Sequence, residues 1–259
     1  MIEINRIYNE DCLEGMKRID AGSIDMILCD LPYGTTACKW DSVIPFSKLW
    51  AHYERIIKDD GAIALFSTQP FTTNLIASNM RLFKYEIIWQ KNMFSNFFSV
   101  KERPGKVHEN ICIFYKKQPC YNPQMEEGKP YKINIRSSRP NKGIYNGPFA
   151  AQDREPNKGT RYPVSVLNFK KEKGFHPTQK PVALNEWLIR TYTNEGDLVL
   201  DNCMGSGATA IACINTGRQF VGFETDPEFY QKSVEWIKKH KEETKEKAPC
   251  ASGAFVLSS

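Results

Sequence analysis

The chain has 259 residues, 41% hydrophobic and 25% charged, with a formal net charge of +5. This suits one large soluble domain, or a core with an inserted segment, and permits a polyanionic partner without demanding one. No run approaches the ~18 apolar residues of a membrane span, and MIEINRIYNEDC lacks the basic start and apolar centre of a signal peptide. The eight cysteines include no CxxC pair and no histidine at metal-ligand spacing, so a reduced, cytoplasmic protein without metal is expected.

In chain order, IEINRIY reads as a first strand and IDMILC (24–29) as a buried one. PFSKLWAHYERII follows as an amphipathic helix, with Phe46, Leu49, Trp50, Tyr53 and Ile57 at helical spacing. AIALF (62–66), EIIW (86–89) and NICIFY (110–115) are three more buried strands, with Cys29 and Cys112 as small hydrophobes inside strand patterns. After a long irregular stretch, LVLD (198–201) and QFVGFE (219–224) are strands, with ATAIACINTG between them as a helix ending at Gly217. PEFYQKSVEWIKK closes the pattern as a helix with Pro227 in its first turn and Tyr230, Val234 and Ile237 on one face. Alternating strands and helices predict a mostly parallel sheet covered on both faces. The last residues, KEETKEKAPCASGAFVLSS, are expected to be frayed or disordered.

Residues 116–174 break the rhythm. They hold 13 Lys and Arg against 5 Asp and Glu, a surplus of +8 that leaves the rest of the chain at −3. Two readings stand side by side: a solvated insertion, or one that grips phosphates and offers Tyr121, Tyr131, Tyr145 and Phe149 to bases.

Two motifs carry chemistry. In VLDNCMGSGATA, Asp201 ends a strand, Gly205 and Gly207 follow, and a helix begins. Glycines let a backbone pass close to a ligand and a helix N-terminus offers free N–H groups, although the loop is neither a Walker motif nor a complete GxGxxG. Glu224 ends the next strand, where an acid accepts bonds from both ribose hydroxyls of an adenosine-containing ligand. In LCDLPYG, Asp30 leaves a strand at the carboxyl edge of the sheet, Pro32 stiffens the exit and Gly34 permits a sharp turn. A solvated turn accounts for this as well as a site does. As a site, Asp30 and the Leu31 carbonyl would accept two N–H bonds from a flat base carrying an amino group, with Tyr33 stacked on its ring.

These residues resemble the beta class of DNA amino-methyltransferases, enzymes that use S-adenosylmethionine to methylate exocyclic nitrogens of adenine or cytosine. DLPYG is similar to the family's D-P-P-Y motif, LDNCMGSGAT to its cofactor motif, HPTQKPVAL (176–184) to the segment preceding that motif, HENICIFYK (108–116) to a late core strand and NEDCLEGM (9–16) to its opening. Leu31 stands for the usual first proline, and Asn202, Cys203 and Met204 for more usual proline and aromatic residues. The resemblance implies a circularly permuted Rossmann-like α/β fold with about seven strands. It also implies a catalytic half (1–115), a basic target-recognition insertion (116–174), a cofactor-binding half (175–243) and a tail (244–259). Asp30, Leu31, Pro32 and Tyr33 would be catalytic. Asp11, Cys12, Asp30, His176, Thr178, Lys180, Asp201, Gly205, Ser206, Gly207, Glu224 and Thr225 would lie along the cofactor, with Asp11 and Cys12 by its adenine, Glu224 on its ribose and the glycine loop along its methionine. HPTQKP has a plainer account too, with Thr178 capping a helix and Pro181 in its first turn.

The implied activity is methylation of the N6 of an adenine flipped out of double-stranded DNA, with Arg136, Arg139 and Lys142 on the duplex. Asp30 at the motif's first position favours adenine over cytosine N4, where serine is more usual. A protein or small-molecule methyltransferase and an inactive DNA-binding module are the other readings. Dimers are frequent in the class, so a homodimer is a candidate state; a restriction partner and the recognition sequence are not legible.

Overall fold

The computed structural model describes residues 2–35, 41–94, 99–131, 157–172 and 179–247, with no side chains described beyond 244. The chain divides into two compact units, Met1–Asn122 with Ser165–Ser259, and Pro123–Val164.

In the larger unit the elements are β1 (Arg6–Tyr8), α1 (Cys12–Gly15), β2 (Ile24–Asp30), α2 (Phe46–Ile56), β3 (Ile57–Ser67), α3 (Phe71–Ser78), β4 (Phe83–Gln90) and β5 (His108–Phe114). The smaller unit holds β6 (Glu126–Glu127) and β7 (Thr160–Arg161). The larger unit resumes with β8 (Val166–Asn168), α4 (Val182–Tyr192), β9 (Leu198–Asp201), α5 (Ala208–Asn215), β10 (Gln219–Phe223) and α6 (Pro227–Lys247). Eight strands form one sheet in the order β1-β10-β9-β2-β3-β5-β4-β8, one more than expected. Only β5 runs against its neighbours. The additional strand is the three-residue β8, whose Val166, Leu167 and Asn168 pair in parallel with Ile88, Trp89 and Gln90 at one edge.

The strands read as continuous apolar runs because both faces are covered. In β2, Met26 and Leu28 enter a core with Leu184 and Leu188 of α4 and Ile211 of α5. Ile27 and Cys29 point the other way, against Leu49, Trp50 and Tyr53 of α2 and Leu75 of α3. The same period of two recurs in β3, where Ala62, Ala64 and Phe66 oppose Ile63 and Leu65. Helix α2 ends at Ile56, so Ile57, expected on its apolar face, begins β3 and is buried there. On α6, Ile237 is buried and Tyr230 packs against the core, but Val234 is exposed; the helix continues to Lys247, past the expected start of the tail.

Two ends of the basic segment belong to the larger unit. Lys117 N–H donates to the Asp59 carbonyl and Asn122 N–H to the Thr191 carbonyl, while β8 joins the sheet. In the smaller unit β6 and β7 pair antiparallel, Arg161 lies 4.5 Å from the centre of the Tyr131 ring, and Tyr162 is exposed.

Strand order reverses between β9 and β2. From β2 the chain passes outward to β3, and from β9 it passes outward the other way to β10. In open α/β sheets the crevice beyond such a switch point, at the carboxyl ends of the strands, is where ligands bind.

Candidate active site

A cavity of about 600 Å³ opens there, within the size range of small-molecule sites. It is lined by both motifs: Asp30 to Tyr33 after β2, and Asp201 to Ser206 after β9, with Glu224 and Thr225 after β10 and Asp11 and Cys12 at the start of α1. Asp11 caps α1, its carboxylate accepting from the N–H groups of Leu13 (2.7 Å) and Glu14 (3.4 Å).

The glycine loop turns from β9 into α5 through left-handed backbone at Gly205 (φ 52°) and Gly207 (φ 86°), a conformation that favours glycine. Two carboxylates hold it. Asp201, 4% exposed, accepts from the Cys203 N–H at 3.0 Å and the Thr209 hydroxyl at 2.6 Å, and burial pushes its pKa up to about 6. Glu224 accepts from the N–H groups of Gly205 and Asp226, both at 2.8 Å, and burial raises its pKa against those bonds. Each Glu224 oxygen retains a lone pair beyond these bonds. Gly207 precedes α5 and Ser206 is buried. Asn202 goes deeper: its carbonyl accepts from the Tyr53 hydroxyl at 2.5 Å, and its amide reaches the sulfurs of Cys12 and Cys203 at 3.5 Å.

At the other wall, Gly34 (φ 67°) makes the turn after Tyr33, and Asp41 accepts from the N–H groups of Gly34 (2.8 Å) and Thr35 (2.9 Å). The Tyr33 ring lies on Phe71, centroids 5.0 Å apart, and its hydroxyl donates to Asp30 Oδ1. The other Asp30 oxygen, Oδ2, accepts from the Lys180 ammonium. Lys180 therefore meets an acid 150 positions away in the chain, and stands 3.5 Å from Glu109 Oε2 at the start of β5. Glu109 Oε1 in turn pairs with Lys91. Burial raises the Asp30 pKa, with Glu109 adding to the rise and Lys180 and Tyr33 opposing it. For Lys180 burial acts downward, but Asp30 and Glu109 outweigh it and its pKa rises.

The structure thus gathers Asp11, Cys12, Asp30, Leu31, Pro32, Tyr33, Lys180, Asp201, Gly205, Ser206, Glu224 and Thr225 around one cavity. His176, Thr178, Arg136, Arg139 and Lys142 lie outside the described residues, as do Tyr145 and Phe149. Pro181 is the residue before α4, one position earlier than a first-turn proline. Motif reading missed Glu109, Lys91 and Asn185. Asn185 is 1% exposed on α4, lines the cavity, donates to the Thr209 hydroxyl at 3.3 Å and leaves its carbonyl oxygen unpartnered. Among the described residues, six carboxylates and four lysines line the cavity, an excess of negative charge.

The DNA methylase family model for N6- and N4-methyltransferases matches residues 24–235, both motif walls included. The chain belongs to this DNA methylase family. Among relatives, the type II methyltransferase M1.MboII of Moraxella bovis is 29% identical over 252 residues, covering 88% of this chain and 95% of its own. The DNA adenine methyltransferase YhdJ of Escherichia coli (strain K12) is 27% identical over 245 residues, covering 88% and 80%. The crystal structure of M1.HpyAVI in complex with SAM superposes with a TM-score of 0.59 at 25% identity, covering 89% of this chain and 98% of that one. The cytosine-N4-specific PvuII DNA methyltransferase shares the fold with a TM-score of 0.62 at 16% identity, covering 91% and 90%. Among the described residues of this methylase, no helix is long and apolar enough to cross a membrane.

Proposed function

We propose that this DNA methylase transfers a methyl group from S-adenosylmethionine to the exocyclic N6 of an adenine flipped out of double-stranded DNA. The observation that carries the reading is Asp30, a carboxylate at the carboxyl end of β2 that shares one cavity with the glycine loop and Glu224. The lining fits the cofactor. The negative excess suits a ligand bearing sulfonium and ammonium charges, the free lone pairs of Glu224 suit ribose hydroxyls, and the unpartnered Asn185 oxygen awaits a donor. When bound, S-adenosylmethionine supplies an electrophilic methyl group. Asp11 and Cys12 would lie by its adenine, Glu224 and Thr225 by its ribose, Asp201, Gly205, Ser206 and Gly207 along its methionine, and His176 and Thr178 nearby.

The amino lone pair of adenine is delocalised into the ring and is a poor nucleophile. Bonds from the amino group to Asp30 and the Leu31 carbonyl favour a pyramidal nitrogen, with its lone pair free for attack. Pro32 limits the backbone at that point, and the Tyr33 ring, backed by Phe71, is the face offered to the base. Adenine is favoured by the acid at position 30 and by the likeness to YhdJ; cytosine N4 is the alternative. Arg136, Arg139 and Lys142 of the basic segment would hold the duplex, and the protein would act in the cytoplasm on the nucleoid, as a monomer or a homodimer.

The test is methylation of duplex DNA with labelled S-adenosylmethionine, followed by digestion to nucleosides and mass spectrometry. N6-methyladenine is expected. N4-methylcytosine would replace the adenine assignment, and label in protein or in neither nucleoside would overturn the reading. Asp30→Ala should abolish turnover while leaving cofactor affinity in place.

A further inference from the structure

The acid proposed to receive the amino group sits in a four-member chain of charges that no single motif contains. Lys180 projects from the residues before α4, between Asp30 of β2 and Glu109 of β5, and Glu109 leads on to Lys91, the residue after β4. The Lys180 side chain is only 8% exposed, with its ammonium 5.2 Å from the centre of the Phe66 ring of β3. A lysine enclosed this far needs compensation for lost hydration, and two carboxylates supply it. The Oε2 atom of Glu109 is buried and makes no hydrogen bond, so its orientation toward Lys180 at 3.5 Å is electrostatic. Two ammonium groups against two carboxylates leave the chain neutral.

We infer that Lys180, held in place by Glu109, is a positioning residue that keeps Asp30 ionised and fixes its carboxylate at the mouth of the base pocket. The inference rests on the reading of Asp30 as the acceptor of the amino group. A protonated Asp30 would present an O–H and lose part of its accepting capacity. Burial drives it toward that state. Among the described residues, the groups facing Asp30 are Lys180, Glu109 across the sheet, Tyr33 from its own turn, and Asp201 and Cys29 beyond. Lys180 is the one cation among these. It occupies Oδ2 while the Tyr33 hydroxyl occupies Oδ1, so the plane of the carboxylate is fixed and one further lone pair on each oxygen is left for the base.

The experiment compares the wild type with Lys180→Met, Glu109→Gln and Asp30→Asn. In ligand-free protein carrying ¹³C-labelled aspartate carboxyls, the Asp30 resonance is identified by its loss in Asp30→Asn and titrated by NMR. Its midpoint should rise by at least about one pH unit in Lys180→Met, as expected when an adjacent opposite charge is removed, and should fall in Glu109→Gln, which removes a like charge. Single-turnover methylation should follow: the acid limb moves to higher pH in Lys180→Met, slowing the reaction about tenfold or more on that limb, while S-adenosylmethionine affinity stays within about twofold. Thermal melting checks folding, and if Lys180→Met does not fold, the opposite shift in Glu109→Gln carries the test. An Asp30 midpoint unmoved in both variants overturns the inference. So does a tenfold loss of cofactor affinity with an unmoved acid limb, which would return Lys180 to the cofactor. Full turnover in Asp30→Asn would instead remove the acceptor reading, while the NMR titration still reports the charge link.

Discussion

Glu224 closes the glycine loop against β10, and its removal separates a structural effect from a ligand effect. In Glu224→Ala the N–H groups of Gly205 and Asp226 each lose a carboxylate acceptor at 2.8 Å. Hydrogen bonds to charged groups contribute about 1.5–3 kcal/mol each in net terms. Glu224 is only half-buried, so water re-satisfies part of the loss and a total of about 2–4 kcal/mol is expected. Urea unfolding of the ligand-free protein reads this as a lower midpoint with an unchanged slope. Calorimetry with S-adenosylmethionine should show a separate loss of at least ~1 kcal/mol, roughly fivefold in Kd, if the remaining lone pairs receive the ribose. A stability change below ~0.5 kcal/mol would refute the claim that the carboxylate holds the loop. A large stability loss with unchanged affinity would leave Glu224 a staple and nothing more.

Asp201 holds its proton more tightly when folded, with a pKa of about 6 against ~3.9 unfolded. Native stability from this group is therefore full below about pH 4 and is lost as pH rises through 6, by about 3 kcal/mol at pH 7. Asp201→Asn should flatten that slope in unfolding experiments from pH 4 to 7, and parallel curves for the two proteins would contradict it. Tyr53→Phe strands the Asn202 carbonyl in the core and should cost about 1–3 kcal/mol by denaturant melting, with full stability as the refuting result. Neutralising Arg136, Arg139 and Lys142 together should weaken DNA binding and flatten its dependence on salt while sparing cofactor affinity; equal affinity with parallel salt slopes would place the phosphate grip elsewhere.

What was legible in the sequence was whatever repeats locally. Strands buried on both faces read as unbroken apolar runs, so β2, β3, β9 and β10 were found, and the two motifs at their ends marked the cavity. Pairings across distance were not legible. Lys180 reads as one basic residue in HPTQKP, and nothing local shows that it meets Asp30 and Glu109. Asn185 sits among apolar residues of α4 and is visible as part of the site only once α4 is laid beside α5. Cys12 and Cys203 looked scattered, yet share the Asn202 amide. The short helix α3, FTTNLIAS, is too brief for a clear period, and β8 hides in a basic segment because only Leu167 of its three residues is buried. Tyr33 was read for its ring, while its hydroxyl turns back to Asp30.

The adjacency of β2 and β9 has a consequence for how the enzyme comes into being. Asp25, beside Ile24 at the start of β2, accepts from the Leu198 N–H, 173 positions further along. At ~5–20 residues per second, the ribosome needs roughly 10–35 s to make that interval. Throughout it the nascent chain carries the acid motif on a strand with an unpaired edge, a surface that invites wrong partners until β9 arrives. The glycine loop and Glu224 are made later still, so no chain synthesised short of Glu224 holds both walls of the cavity. The methyl donor has nowhere to dock on a nascent chain until translation has passed β10.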